Sequence, residues 1–341
     1  MNSQQAIAPD KVSSDIDSSS IEIGMSACLI ENEVYPNVGH TQSGLCLDVL
    51  SPCFKLTTFC PEVMTSFGSP RPTIRLAGDP SSPQGGFIST DSALALDLAS
   101  QLTEGCEKRL SEMSHLDGYI LMKNAPSCGL ERLKVSPPNG HPHQLRTAGV
   151  FARALKAQYP LMPIEEEERL HDNKLFDNFL LRVCAYHNFR KEVLEQSSLH
   201  NLMVFHSRYK YLLMAHNQEQ CRALGRLLGT HKQGSVETLT HTYFRSFIEA
   251  LSKPASRKNH TNALFHILGY LKGNLPAVAR EHIVEIIHNY NKGLIPLTTP
   301  LTLLKHHLIQ HGSTYIKDQR YLEPYPEKIS PMIQYLQQAN H

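Results

Sequence analysis

Ile21-Glu22-Ile23-Gly24-Met25-Ser26-Ala27-Cys28-Leu29 decides the fold class of this chain. Its first five residues read as a short, mostly apolar strand, and a cysteine follows just beyond the strand's end. The arrangement recurs twice. Phe54-Lys55-Leu56-Thr57-Thr58-Phe59 leads into Cys60-Pro61-Glu62, and Gly118-Tyr119-Ile120-Leu121-Met122 runs toward Pro126-Ser127-Cys128-Gly129. Groups placed just past strand ends belong to an open α/β sheet, whose sites collect at the carboxyl ends of its strands. Three thiolates are one short of a closed tetrahedral metal site, so whatever they hold keeps an open coordination position.

Between these strands, Leu94, Leu98, Leu102, Cys106 and Leu110 recur every four residues after Asp91, an N-cap residue, and predict an amphipathic helix; a second covers Thr147 to Gln158. Cys106 therefore belongs to a core stripe, as do Cys184 and Cys221 in later helical segments, and Cys46 and Cys53 are read as core as well. Glu165-Glu166-Glu167-Glu168 reads as an acidic hinge, with Asp172 to Glu195 as a connecting helix. From about Ser198 the pattern is almost entirely helical: Ile283, Ile286, Ile287 and Tyr290 line one face, and Leu301, Leu303, Leu304 and Leu308 another. The expected architecture is an α/β N-terminal domain, with an open, mainly parallel sheet and flanking helices, followed by an all-α helical-bundle domain. Its expected boundaries are a Ser-rich disordered tail at 1–20, the cysteine-bearing domain at 21–168, a helical connector at 169–197, the bundle at 198–326 and a C-terminal tail at 327–341. Neither a Walker phosphate loop nor a GxGxxG signature is present.

The 341 residues, 41 % of them apolar, suffice for two cores. No stretch approaches the roughly 18 apolar residues of a membrane span, and the start lacks the apolar region of a secretion signal, so a soluble cytoplasmic protein with reduced thiols is expected. Net charge is only +1, but Gln196 to His341 carries sixteen Lys or Arg against eight Asp or Glu, a net of +8, leaving −7 for the rest. A basic half beside an acidic one fits a module that meets a polyanion beside one that does chemistry; solvated helix faces are the plainer alternative.

The phrases resemble two known families. From Ile23 to about Arg169 the chain resembles the thiouracil desulfurase (TudS-like) family, through Ser26-Ala27-Cys28-Leu29, Gly39-His40, Cys60-Pro61-Glu62, Pro70-Arg71-Pro72-Thr73-Ile74-Arg75-Leu76, Leu116-Asp117-Gly118-Tyr119-Ile120-Leu121 and Pro126-Ser127-Cys128-Gly129. From Leu202 to Tyr325 it resembles the YbgA-like helical domain, through Phe205-His206-Ser207-Arg208-Tyr209-Lys210, Arg257-Lys258-Asn259-His260-Thr261-Asn262, Gly293-Leu294-Ile295-Pro296-Leu297 and Pro300-Leu301-Thr302-Leu303-Leu304-Lys305-His306. The fused architecture is similar to RudS-type bacterial desulfidases. This resemblance implies a 4Fe-4S cluster held by Cys28, Cys60 and Cys128, with one open iron that binds the sulfur of a thiolated uracil. It also implies conversion of 4-thiouridine in tRNA to uridine with release of hydrosulfide.

Glu62, two residues after a cysteine, is the carboxylate expected to activate water or protonate the base, with a helix cap or an ion pair to Arg71 as structural alternatives. Ser127 is expected to donate to a cluster sulfide or to substrate, unless it caps its own turn. Relatives frequently carry a further serine where this chain has Ala125, and Tyr35-Pro36-Asn37-Val38-Gly39-His40 departs from their glycine-paired form. His40 is expected near substrate rather than on iron, and Arg71, Arg75 and Lys123 are the anion contacts of this module. In the basic module Arg208, Lys210, Arg257, Lys258, His260 and Lys305 are the expected RNA contacts, gripping phosphate while the thiouridine is extruded from its stack. Adjacent pairs such as His306 and His307 diverge on a helix, which argues against a histidine metal site. Three other readings stay open: a desulfidase of free thiouracil or 4-thio-UMP, a non-catalytic iron-sulfur RNA sensor, and a zinc protein with three cysteines and a water.

Overall fold

The computed structural model describes residues 18–30, 42–64, 74–77, 86–89, 99–130, 133–134, 146–231, 234–326 and 329. In chain order these hold β1 (Glu22–Ser26), β2 (Lys55–Phe59), β3 (Ile74–Ala77), β4 (Gly86–Ser89), α1 (Ala99–Ser111), β5 (Gly118–Leu121), β6 (Leu133–Lys134), β7 (Arg146–Thr147), α2 (Val150–Gln158), β8 (Ile164–Glu166) and α3 (Asn173–Phe189). After them come α4 (Leu199–His216), α5 (Gln218–Gly229), α6 (Val236–Leu251), α7 (Arg257–Gly269), α8 (Ala277–Asn291), α9 (Thr298–His311) and the single turn α10 (Thr314–Lys317). The predicted α/β module followed by helices is what forms.

The main sheet runs β2-β1-β5-β8, and every neighbouring pair is parallel. β1 is buried at all five positions, as a parallel strand covered on both faces must be. Ile23, Met25 and Ile120 face Phe176, Phe179, Leu180 and Val183 of α3. On the opposite face Tyr119 and Leu121 meet Cys106 and Leu110 of α1 and Phe151 and Leu155 of α2. Tyr119 pairs with Gly24 across the β1–β5 register, and a Cβ at Gly24 would stand 2.5 Å from the tyrosine ring. Only glycine leaves room for that ring. The α1 stripe is buried at Cys106 and Leu110; Asp91, Leu94 and Leu98 lie outside the described residues.

The acidic run is not a hinge. Ile164–Glu166 is the fourth strand of the sheet, and each carboxylate has a specific partner. Glu165, only 6 % exposed, faces Arg169 at 3.1 Å and Arg182 at 3.7 Å. Glu166 accepts from the Leu130 N–H at 2.8 Å, Glu167 accepts from the Ser43 hydroxyl at 2.5 Å, and Glu168 pairs with Lys123. Four consecutive glutamates look solvated in sequence because partners such as Ser43, Lys123 and Leu130 lie far along the chain.

The segment expected to connect the modules is itself core. Asp172 caps α3 by accepting from the Lys174 and Leu175 N–H groups, and Phe189 near the helix end stacks on Phe244 of α6 with ring centroids 4.1 Å apart. Phe205 of α4 meets Phe189 edge-on at 4.9 Å. One apolar cluster thus runs from Phe59 in the sheet module to Leu322 beyond α10. At the amino end of the sheet, Asp117 accepts from the Glu22 N–H, from Nδ1 of His187 at 2.8 Å and from Arg190 at 2.8 Å, fastening α3 and its continuation to the strands. Two residues beyond α10 reach the same module: Tyr325 donates to Asp177 of α3 at 2.5 Å, and Ile329 is buried in the sheet core.

Candidate active site at the carboxyl end of the sheet

Three neighbouring parallel strands deliver the three cysteines to one end of the sheet. Cys28 sits in a single helical turn, Ala27–Leu29, directly after β1; Cys60 is the residue after β2; Cys128 lies in the loop after β5. The register Ser26↔Phe59 brings the first two strand ends level, and Ala27 and Cys28 pack with Cys60 and Met122. Cys28 and Cys128 are buried and Cys60 half-buried. The third loop is set by backbone geometry. Asn124 takes a left-handed φ of 57°, a region asparagine tolerates, and Gly129 N–H closes a turn onto the Ala125 carbonyl at 2.8 Å. The first N–H groups of α2, those of Phe151 and Ala152, donate to the Ser127 carbonyl at 3.0 and 3.3 Å. Donors that a helix start leaves unpaired therefore hold the loop, and the positive end of the α2 dipole lies beside Cys128. A Cβ at Gly149 would stand 2.2 Å from that carbonyl, so the helix reaches the loop only with glycine there.

Glu62, 4 % exposed, enters the site from the turn after Cys60, and its carboxylate accepts a 2.6 Å hydrogen bond from the Ser127 hydroxyl. The same hydroxyl lies 3.6 Å from Sγ of Cys128. Ser26 accepts from the Met122 N–H at 3.0 Å and hydrogen-bonds Cys128 with its hydroxyl. Burial nevertheless pushes the Cys128 thiol well above its ordinary value; the Ser26 and Ser127 hydrogen bonds pull it down, and the nearby charges of Glu62 and Cys28 push it further up. A thiolate here therefore calls for positive charge. Cys46 and Cys106 are core thiols: burial pushes Cys46 up to about 11 and Cys106 up to about 12.

Among the described residues no group of three His, Cys, Asp or Glu forms a site for a metal ion. The three cysteines at adjoining strand ends are nonetheless the soft donors that an iron-sulfur group takes. The Tyr119 hydroxyl is fully buried and has no hydrogen-bond partner among the described residues. The ionisable groups acting on it are Cys128, Cys60, Cys28 and Cys106. An orphaned donor beside three thiols fits a sulfur-rich group between them.

Of the remaining expected site residues, His40 and Arg71 lie outside the described residues and Arg75 falls on β3. Lys123 is paired with Glu168. In the helical module Arg257 and Lys258 open α7 and are exposed. Arg257 also donates to the Tyr290 carbonyl at 2.7 Å, and Lys210 lies over the Tyr211 ring. Arg208 pairs with Glu192 at 2.8 Å, Lys305 pairs with Glu323, and His260 bonds the Tyr321 hydroxyl at 3.0 Å. Those three are engaged within the protein. Ser26, Tyr119 and Glu166 were not singled out in the sequence; Ser26 and Tyr119 lie inside the cysteine phrases, but their contacts are tertiary.

Burial, aided by the charges of His216 and Arg257, lowers His260 to about 4, and burial with Lys210 lowers His206 to about 4. An unfolded histidine titrates near 6.5, so folding favours the neutral rings. The stability they contribute is fully present above that value and is lost as pH falls through the folded value. Thermal melts between pH 7 and pH 4 are expected to show a loss on the order of 2 kcal/mol for each ring, and His260→Asn is expected to flatten the dependence.

Residues 23–167 match the family model described as 2-thiouracil desulfurase, and residues 210–326 match a protein of unknown function (DUF1722). The uncharacterized protein YbgA of Escherichia coli (strain K12) is 30% identical over 155 residues, covering 45% of this chain and 92% of that protein. A solved 4Fe-4S-dependent thiouracil desulfidase, TudS, is 24% identical and covers 44% of this chain and 93% of that one, with a TM-score of 0.34, at which the likeness carries no structural weight. The α/β domain thus matches the 2-thiouracil desulfurase model and the helical domain the DUF1722 model. The chain belongs to the YbgA-like family, with a 2-thiouracil desulfurase domain fused ahead of its DUF1722 domain. Among the described residues no helix is long and apolar enough to cross a membrane.

Proposed function

We propose that this protein is a hydrolytic, non-redox desulfidase that converts 4-thiouridine in tRNA to uridine, using a 4Fe-4S cluster held by Cys28, Cys60 and Cys128. The observation that carries the reading is the buried Glu62–Ser127–Cys128 chain at the carboxyl ends of three parallel strands, in a domain of the 2-thiouracil desulfurase family. When bound, the cluster supplies a soft Lewis-acid iron with affinity for a thione sulfur over a carbonyl oxygen. The chain supplies the proton traffic. Glu62 takes a proton from the attacking water, and Ser127 fixes the carboxylate beside Cys128. Water oxygen replaces sulfur at the ring carbon, sulfur leaves as hydrosulfide, and no electrons are exchanged. Free thiols throughout suit a reducing compartment such as the cytoplasm.

The excess of positive charge from Gln196 onward supports an RNA substrate, with Lys210, Arg257 and Lys258 as phosphate contacts. A second reading, desulfidation of free thiouracil or 4-thio-UMP, draws support from the internal pairing of Arg208, His260 and Lys305. The full chain, reconstituted anaerobically with iron and sulfide, separates the two when given 4-thiouridine-containing tRNA and, in parallel, 4-thio-UMP. Faster loss of thiocarbonyl absorbance from tRNA supports the first reading; turnover of the nucleotide alone overturns it. Removing the helical module is a poor test, because it would strip Phe244 and Phe205 from Phe189 and open the shared core.

A further inference from the structure

We propose that Tyr119 is a positioning residue of the cofactor site, its phenol donating a hydrogen bond to a sulfur of the iron-sulfur group that Cys28, Cys60 and Cys128 hold. The assignment rests on the function proposed above. Natural cores rarely leave a hydroxyl both buried and unpaired, and a phenylalanine would fill this volume without that cost. The ring has little freedom to turn its hydroxyl elsewhere, since it lies over Gly24 and meets Phe151 edge-on with centroids 5.4 Å apart. The groups that act on the hydroxyl are the three site cysteines with Cys106, and no hydrogen bond reaches it from any of them. Cys128 already has Ser26 and Ser127 as partners. The missing acceptor therefore lies between the cysteines rather than on one of them. Hydrogen bonds to cluster sulfurs stabilise the more negative, reduced state and raise its potential, and such outer contacts are as much a part of a metal site as its ligands.

Tyr119→Phe, made in the full chain, removes only the oxygen. Without iron, the variant is expected to melt at the same temperature as the parent or above it, because an unpaired hydroxyl has been deleted. Reconstituted, it is expected to keep its full iron and sulfide content, to show a lower cluster midpoint potential in an EPR-monitored titration, and to gain less melting temperature from the cluster than the parent does. An unchanged potential with an unchanged thermal gain overturns the assignment while leaving the desulfidase reading intact; the hydroxyl then serves a buried water. If the parent chain itself retains no iron, the assignment falls together with the reading on which it rests.

Discussion

Cys28→Ala, Cys60→Ala and Cys128→Ala are each expected to lose iron retention and desulfidation, whereas Cys106→Ala is expected to keep both. The contrast is informative because Cys28, Cys106 and Cys128 are all buried and Cys106 also acts on Tyr119. Only the first set stands past strand ends, those of β1, β2 and β5, and at Cys128 the Ser127 hydroxyl lies 3.6 Å from the sulfur. Cys106 lies on the inward stripe of α1, so alanine there trades one small apolar side chain for another. In the proposed three-cysteine site, loss of one ligand would leave two, too few to fix a cluster with a defined open position. Iron and sulfide per chain after anaerobic reconstitution, read beside turnover, checks this; equal loss from all four variants would overturn the ligand set.

Glu62→Gln is expected to lower turnover by about 10²- to 10⁴-fold, the usual worth of a positioned general acid or base, while iron content stays at the parent level. The amide still accepts from Ser127, so the loop packing that depends on the 2.6 Å contact survives and the proton-accepting oxygen is lost. Single-turnover measurements with 4-thio-UMP and with thiolated tRNA isolate this step from product release. Undiminished turnover in the variant would reduce Glu62 to a structural partner of the Cys128 loop. A protein that binds RNA and iron but turns over neither substrate, with or without the substitution, would be the sensor.

Much of the site was legible because the three cysteine phrases each couple a strand to a turn within a few residues, and local pattern reports local structure. Glu62 was singled out from its spacing to Cys60, but its hydrogen bond with Ser127, 65 positions along the chain, has no local signature. The phosphate-gripping phrases show the opposite weakness. Arg208, His260 and Lys305 look like a basic surface in sequence, yet Glu192, Tyr321 and Glu323 engage them once the helices pack. Charge composition gives the sign of a face and not which of its groups remain available.

The sequence by itself determined the order of strands and helices, the division into an α/β half and a helical half, and the three cysteines, since each is written in short-range periodicity and phrase. Only the tertiary structure decided that the acidic run begins in a strand and has its own partners, that the supposed connector is shared core, and that a tyrosine hydroxyl is stranded among the thiols. Those outcomes depend on which distant residues come to lie opposite one another, and burial turns such meetings into large energies that no local pattern records.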